Sequence, residues 1–173
     1  MKQRRESVTH VAQGTFAHTA NEADWFSTVL GSCVSVCLFD LKKGVGGMNH
    51  FLLEGSGGSV DLRYGAFAIE VLLNKLLRSG VEKQDVRAKA FGGARMFDYG
   101  VNIGANNVRF TTAFLKNEGI PIVSSDFGGT QARRILFHPV TGTARVSLVP
   151  REAMGAAQVQ PVRTKIGTIT LFE

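Results

Sequence analysis

The 173-residue sequence predicts a mixed α/β fold, a single-domain sandwich of β-sheet with two main helices, from three observations. Short runs rich in β-branched and aromatic residues recur between glycine-bearing turns, the mark of strands. The stretch 61–79 carries apolar residues at 62, 66, 69, 72, 73, 76 and 77, which is a helical period. The order along the chain is β-rich at first, then helix, strand, helix and several strands, which suits α/β and α+β layers alike. With 44% hydrophobic and 20% charged residues, and with no repeat or second-domain linker, residues 1–173 are expected to form one domain that buries a core without disulfides or metal.

Residues 1–20 show no clear pattern. The first strand is placed at 33–39, where Cys, Val, Ser, Val, Cys, Leu and Phe follow one another. The segment 40–47 ends in Gly44-Val-Gly-Gly47, and its glycines can take positive φ and reverse the chain. A second strand follows at 48–53. This assignment sets Cys33 at the start of the first strand and His50 within the second, a register better suited to a long loop than to a tight turn.

A flexible connector at 54–59 leads into the helix at 61–79. Asp61 is its expected N-cap, Lys75 and Arg78 lie near the negative end of its dipole, and Gly80 is a C′ stop. Residues 86–91 alternate as a half-buried strand ending at Gly92-Gly93. A second helix is expected from near Ala105 to Gly119, with Val108, Ala113 and Leu115 covering the sheet. Strands follow at 120–125, 134–138 and 144–148, separated by Gly128-Gly129 and by Thr141-Gly-Thr143, and the alternation of 162–172 favours a final strand. The glycines at 92–93 and 100–104 match neither GxGxxG nor a Walker pattern, so they read as turns at strand ends.

The formal net charge of +6 calls for an acidic partner or marks a bland basic surface. Lys2, Arg4, Arg5, Lys42, Lys43, Arg133, Arg134, Arg163 and Lys165 are scattered without aromatic interleaving or a binding motif, which argues against nucleic acid. An acidic protein surface would exploit the same field. The start MKQRRESVTH has no apolar segment behind it, and no run approaches the roughly 18 apolar residues that span a bilayer. A cytoplasmic protein without membrane insertion is expected, and a reducing compartment suits a free thiol.

The chemistry centres on Cys33 and His50. A cysteine becomes a useful nucleophile when an imidazole takes its proton, and the two need only be neighbours in space. Cys33 and Cys37 on one strand would lie roughly 13 Å apart, well beyond the limit of about 7 Å for a disulfide. They also lack the Cys-x-x-Cys turn and further ligands that zinc would want. The alternative for Cys33 is a small buried hydrophobe, and for Cys37, inside the strand, burial is the expected state. His50 could equally be a satisfied core residue, although Asn49 and the preceding glycines set it apart from ordinary core. His10, His18 and His138 rank below it.

LGSCVSVCLFD around Cys33, GGMNHFLL around His50, RYGAFAIEVLLNKLL, FGGARMF, the Ile-Gly-Ala-Asn-Asn-Val run at 103–108 and EGIPIVSSDFGG together resemble the chemoreceptor glutamine deamidases, the CheD family. The resemblance covers roughly residues 25–148. It implies hydrolysis of selected receptor glutamine side chains to glutamate, on a fold similar to the catalytic domain of cytotoxic necrotizing factor toxins. It also implies chemoreceptor cytoplasmic domains as substrate, with a CheC-type phosphatase as a further partner. Cys33 matches the family nucleophile and His50 its histidine. The family's threonine, six residues before the cysteine, falls on Ser27, with Thr28 next to it; a hydroxyl is retained and its type differs. Near Gly129-Thr-Gln-Ala-Arg133 the family's Gly-Arg has become Ala-Arg.

The implied chemistry is coherent. The Cys33 thiolate attacks the carboxamide, backbone N–H groups near Cys33 stabilise the oxyanion, and His50 protonates departing ammonia. His50 then activates water against the thioester. Ser27 would orient His50 through its hydroxyl or its backbone. No metal or organic cofactor is required. Two rival readings are a non-catalytic module that docks to a CheC-type phosphatase or a receptor, and a different thiol hydrolase or transamidase.

Overall fold

The computed structural model describes residues 6–54, 58–150 and 153. Two sheets pack face to face and two helices cover the outer face of one of them. The first sheet contains β1 (Ser7–His10), β3 (Asp24–Leu30), β8 (Arg133–His138) and β9 (Thr143–Leu148), in the order β1-β3-β8-β9. The second contains β2 (Thr15–Thr19), β5 (Val45–His50), β4 (Val34–Asp40), β6 (Arg87–Gly92) and β7 (Ile122–Phe127), in the order β2-β5-β4-β6-β7. The pairs β1/β3 and β6/β7 are parallel and the remaining neighbours antiparallel.

Alternation along β4 sends its side chains into two different cores, which is why apolar residues fall on both faces of the strand. Val34, Val36 and Leu38 join Ile69, Leu72, Leu76 and Leu115 in the core beneath the helices. Cys37 and Phe39 join Phe26, Leu30, Met48, Phe91, Ile135 and Phe137 between the sheets. All seven residues of β4 are buried, the polar Ser35 and Asp40 included, so the strand shows no alternation of buried apolar and exposed polar positions.

Helix α1 (Ser59–Arg78) buries Gly65, Ile69, Leu72, Leu73 and Leu76, and ends before Gly80 at φ +83°. Its N-cap is Gly58 in extended geometry, not Asp61, which instead places its carboxylate in the first turn where the helix dipole favours it. Helix α2 (Ile103–Asn117) opens on Asn102, whose side chain accepts from the Ala105 N–H at 3.0 Å. Its inward row is Asn107, Thr111 and Leu115, and Ala113 is exposed. Two polar residues on that row are invisible to a search for apolar periodicity. Strand β6, α2 and the parallel β7 form a βαβ crossover.

The first β-hairpin is tight. β5 begins at Val45, three residues earlier than the sequence suggests, and only residues 41–44 turn the chain. Gly46 and Gly47 belong to the strand because neighbouring elements crowd them. A Cβ on Gly46 would lie 2.5 Å from the Pro139 carbonyl oxygen, and one on Gly47 2.5 Å from both the Ala17 carbonyl oxygen and Leu72 Cδ1. Strands β1, β2 and β3 precede the first strand recognised in the sequence. The expected strand at 162–172 lies outside the described residues. Among the described residues no helix is long and apolar enough to cross a membrane.

Candidate active site

Cys33 sits on the short link Gly31-Ser32-Cys33 that carries the chain from β3 in one sheet to β4 in the other. Its backbone is clamped. The Cys33 carbonyl accepts from Gly93 N at 2.8 Å, the Gly31 carbonyl from Ala94 N at 2.9 Å, and the Ser32 carbonyl from Asn107 Nδ2 at 3.2 Å. Gly92, at φ +113°, lies so close that any Cβ would strike the Cys33 carbonyl, and a Cβ on Gly93 would strike Val108 and the Gly104 carbonyl. The Gly92-Gly93 pair therefore lets β6 and α2 press against the cysteine backbone, a tighter duty than a turn.

The strand pairing brings Cys33 and His50 together. Cys37 pairs with Met48, and the bridge between Val34 and Phe51 continues that register, so Ser35 stands opposite His50 and Cys33 lies diagonal to it. Such diagonal neighbours on one face are roughly 7 Å apart, within reach of an imidazole. Both face the inter-sheet layer: Cys33 packs against the cluster between the sheets, and the His50 ring meets β3 of the opposite sheet. The tight hairpin brings this about, since the start of β4 meets the end of β5.

His50 is held from the first sheet. Its Nδ1 lies 2.8 Å from Thr28 Oγ1 and 3.3 Å from the Val11 carbonyl oxygen, while Thr28 Oγ1 itself donates to that carbonyl at 2.7 Å. The single hydroxyl proton of Thr28 is thus committed to Val11, leaving a lone pair that accepts from Nδ1–H. The other tautomer would place a proton on Nε2, which is buried without a hydrogen-bond partner among the described residues. The geometry accordingly favours Nδ1–H, with the Nε2 lone pair bare and able to take a proton.

Thr28, Phe26 and Leu30 share the face of β3 that looks between the sheets, as does Ile135, paired with Thr28. Ser27, one residue away, projects to the opposite face, because successive strand residues alternate. Its connection to the site runs through its backbone: the Ser27 carbonyl accepts from Val11 N at 2.8 Å and so fixes the segment whose carbonyl meets His50.

Burial governs both ionisations. Desolvation pushes the Cys33 thiol above its ordinary value, with a smaller opposing contribution from its own backbone N–H. Desolvation likewise pushes His50 below the usual imidazole value, opposed by its bond to the Val11 carbonyl and reinforced by nearby His10. Both directions favour the neutral forms, a thiol and an imidazole, near neutral pH. The sulfur donates to Gln13 Oε1 at 3.3 Å.

Other sequence candidates have structural duties. Cys37 is fully buried and its thiol is held protonated by desolvation. His138 bonds the Glu22 carbonyl through Nε2 at 2.9 Å and Thr141 through Nδ1. Arg133, counted among the scattered basic residues, is buried, bonding the Asp126 carboxylate and carbonyl at 2.7 Å as well as the Gly128 carbonyl. Residues 55–57 of the glycine-serine connector lie outside the described residues.

Comparison with known proteins places the chain in a family. Residues 54–148 match the family described as CheD chemotactic sensory transduction. A probable chemoreceptor glutamine deamidase CheD 1 of Ruegeria sp. is 43% identical over 96% of this chain and 96% of its own length. The chain belongs to the CheD family. A second relative, the probable chemoreceptor glutamine deamidase CheD of Caulobacter vibrioides, is 51% identical over 84% of this chain and 80% of its own. The CheD match to 54–148 begins after Cys33 and His50, whereas the Ruegeria relative spans the segment that holds both. Among solved structures, Neisseria meningitidis protein NMB0706 shows a TM-score of 0.45 at 15% identity, covering 72% of this chain and 64% of that one.

Sequence reasoning missed three contributors. Val11 acts through its carbonyl, so its side chain carries no signal. Gln13 lies in a stretch without pattern. Asn107 falls within the 103–108 run, but its duty shows only in its bonds: Oδ1 accepts from Leu53 N at 2.8 Å while Nδ2 donates to the Ser32 carbonyl.

Proposed function

We propose that this protein is a chemoreceptor glutamine deamidase that converts selected receptor glutamine side chains to glutamate with release of ammonia, as a Cys-His thiol hydrolase. The observation that carries the reading is the bare Nε2 of His50, on the sheet face it shares with Cys33, its other nitrogen tied to Thr28 and Val11. The relatives, named as chemoreceptor glutamine deamidases, suggest the substrate class.

His50 Nε2 takes the Cys33 proton as the sulfur attacks the glutamine Cδ, and the carbonyl π electrons move to oxygen. Collapse of the tetrahedral adduct expels nitrogen, which receives the proton from Nε2 and leaves as ammonia. Water then attacks the thioester, giving one proton to Nε2, and the thiol is regenerated as glutamate departs. The imidazolium formed in each half-reaction is stabilised by the Val11 carbonyl and the Thr28 oxygen facing Nδ1–H. Ser27 contributes by holding Val11 through its carbonyl.

The net charge of +6 favours approach to an acidic receptor surface. Cytoplasmic receptor domains as substrate imply a cytoplasmic protein, for which a CheC-type phosphatase would be a partner.

The test is ammonia release and mass spectrometry on a purified receptor cytoplasmic fragment, comparing the native protein with Cys33→Ala and His50→Ala. A gain of about one mass unit at particular glutamines, lost in both variants, is the expected result. Absence of release by the native protein on several receptors would sink the reading in favour of a docking module.

A further inference from the structure

The residue touching the nucleophile is a glutamine of the protein itself. Gln13 is exposed, on the 11–14 connection between β1 and β2, and its Oε1 accepts from Cys33 Sγ at 3.3 Å. The backbone beneath it is fixed at three points: Val11 N donates to the Ser27 carbonyl at 2.8 Å, Gly14 N to the His50 carbonyl at 2.8 Å, and Thr15 N to the Ala12 carbonyl at 3.1 Å. Gln13 is therefore tied to the same two strands that carry Thr28 and His50.

An attacked carboxamide needs donors for its developing oxyanion, and the N–H groups around the thiol are mostly committed. Those of Val34, Gly93, Ala94 and Gly14 go to the carbonyls of Phe51, Cys33, Gly31 and His50. The Cys33 N–H has no backbone acceptor among the described residues and is one available donor. Gln13 Nε2 is a second, with no partner among the described residues.

We propose that Gln13 is a catalytic residue whose side-chain N–H, together with the Cys33 backbone N–H, forms the oxyanion hole. In the resting protein the thiol has a proton to donate, so Gln13 offers its oxygen. Once His50 has taken that proton the sulfur can only accept, and the amide turns about its terminal torsion, a broad and roughly two-fold rotor, to present Nε2–H. The same donor then faces the oxygen of the substrate as the adduct forms. A donor aimed at an oxyanion rather than at a ground-state carbonyl acts on the rate of the chemical step.

The inference rests on the thiol chemistry proposed above, and its test is chosen to stand apart from the receptor assay. Two reagents meet the same sulfur by different routes: p-nitrophenyl acetate acylates it through a tetrahedral oxyanion, and iodoacetamide alkylates it by direct displacement without one. Rates are compared for the native protein, Gln13→Ala and Gln13→Glu, with Cys33→Ala as background. The expected result for Gln13→Ala is acylation slowed about 10- to 100-fold while alkylation stays within about threefold. Gln13→Glu, whose carboxylate repels the oxyanion, should acylate more slowly still. Equal slowing of both reactions would assign Gln13 to thiolate supply. Unchanged or faster acylation would make it an incidental or occluding contact. Either outcome overturns the proposal. A selective acylation defect in a protein whose native form releases no ammonia from receptors would uphold Gln13 and reject the deamidase reading.

Discussion

The hydroxyl of Thr28, on one sheet, stands 2.8 Å from Nδ1 of His50 on the other, and donates its own hydrogen bond to the Val11 carbonyl at 2.7 Å. This relay sets the tautomer of His50. Thr28→Val keeps the shape and removes the acceptor, so kcat for deamidation should fall about 5- to 30-fold, the equivalent of one buried hydrogen bond of about 1–2 kcal/mol. Thr28→Ser should retain most of the activity. Ser27→Ala, which leaves the Ser27 carbonyl in place, should stay within about twofold of native. Steady-state kinetics on a receptor fragment decides the matter, and a larger loss at Ser27 than at Thr28 would reject this assignment.

The direction of the two ionisations fixes a pH profile. Because burial lowers His50, the base stays unprotonated until the pH falls beneath the ordinary imidazole range, so kcat/KM should hold level through neutrality and decline only below about pH 6.5. Because burial raises Cys33, its alkylation by iodoacetamide should climb on the alkaline side, beyond the ordinary thiol range. An alkylation plateau between about pH 5 and 8 would instead reveal a thiolate-imidazolium ion pair.

Cys37 should be a spectator. It is fully buried and faces the layer between the sheets, and Cys37→Ala removes one sulfur from that core. Deamidation should remain within about twofold of native, with a stability loss of about 1 kcal/mol read from urea unfolding. Intact-mass analysis of the folded native protein after alkylation should show a single adduct, absent in Cys33→Ala. Two adducts under native conditions would contradict the burial of Cys37.

Asn107 ties α2 to both strands of the site. Asn107→Leu orphans the Leu53 N–H and the Ser32 carbonyl, each costing about 1–3 kcal/mol when left buried and unpaired. Chemical denaturation should show a loss of about 3 kcal/mol, accompanied by reduced kcat because Ser32 precedes the nucleophile. A variant of native stability and activity would show that water replaces the side chain without penalty.

Much of the second sheet and its helices is legible in the sequence because their residues alternate or repeat with clear periods. The β4 run, the α1 stripe and the β6 alternation are examples. The first sheet's opening strand is not legible, since all four residues of β1 are exposed and polar or small types surround it. Gly46 and Gly47 mislead for a physical reason: the absence of a side chain serves a crowded strand as well as a turn, and sequence alone does not distinguish them. Within the site, Cys33 and His50 stand out by residue type. The partner of His50 is decided by strand parity, which a count of six residues back from the cysteine leaves open between Ser27 and Thr28. Val11 contributes a carbonyl that any residue would have.

The site is a joint between two sheets. Thr28 comes from one, His50 from the other, and Cys33 lies on the link between them. Neither sheet alone orients His50, so the amide hydrolysis proposed for this site requires the two sheets to be docked. A chain whose sheets had not docked would lack the Thr28 and Val11 contacts that orient the imidazole.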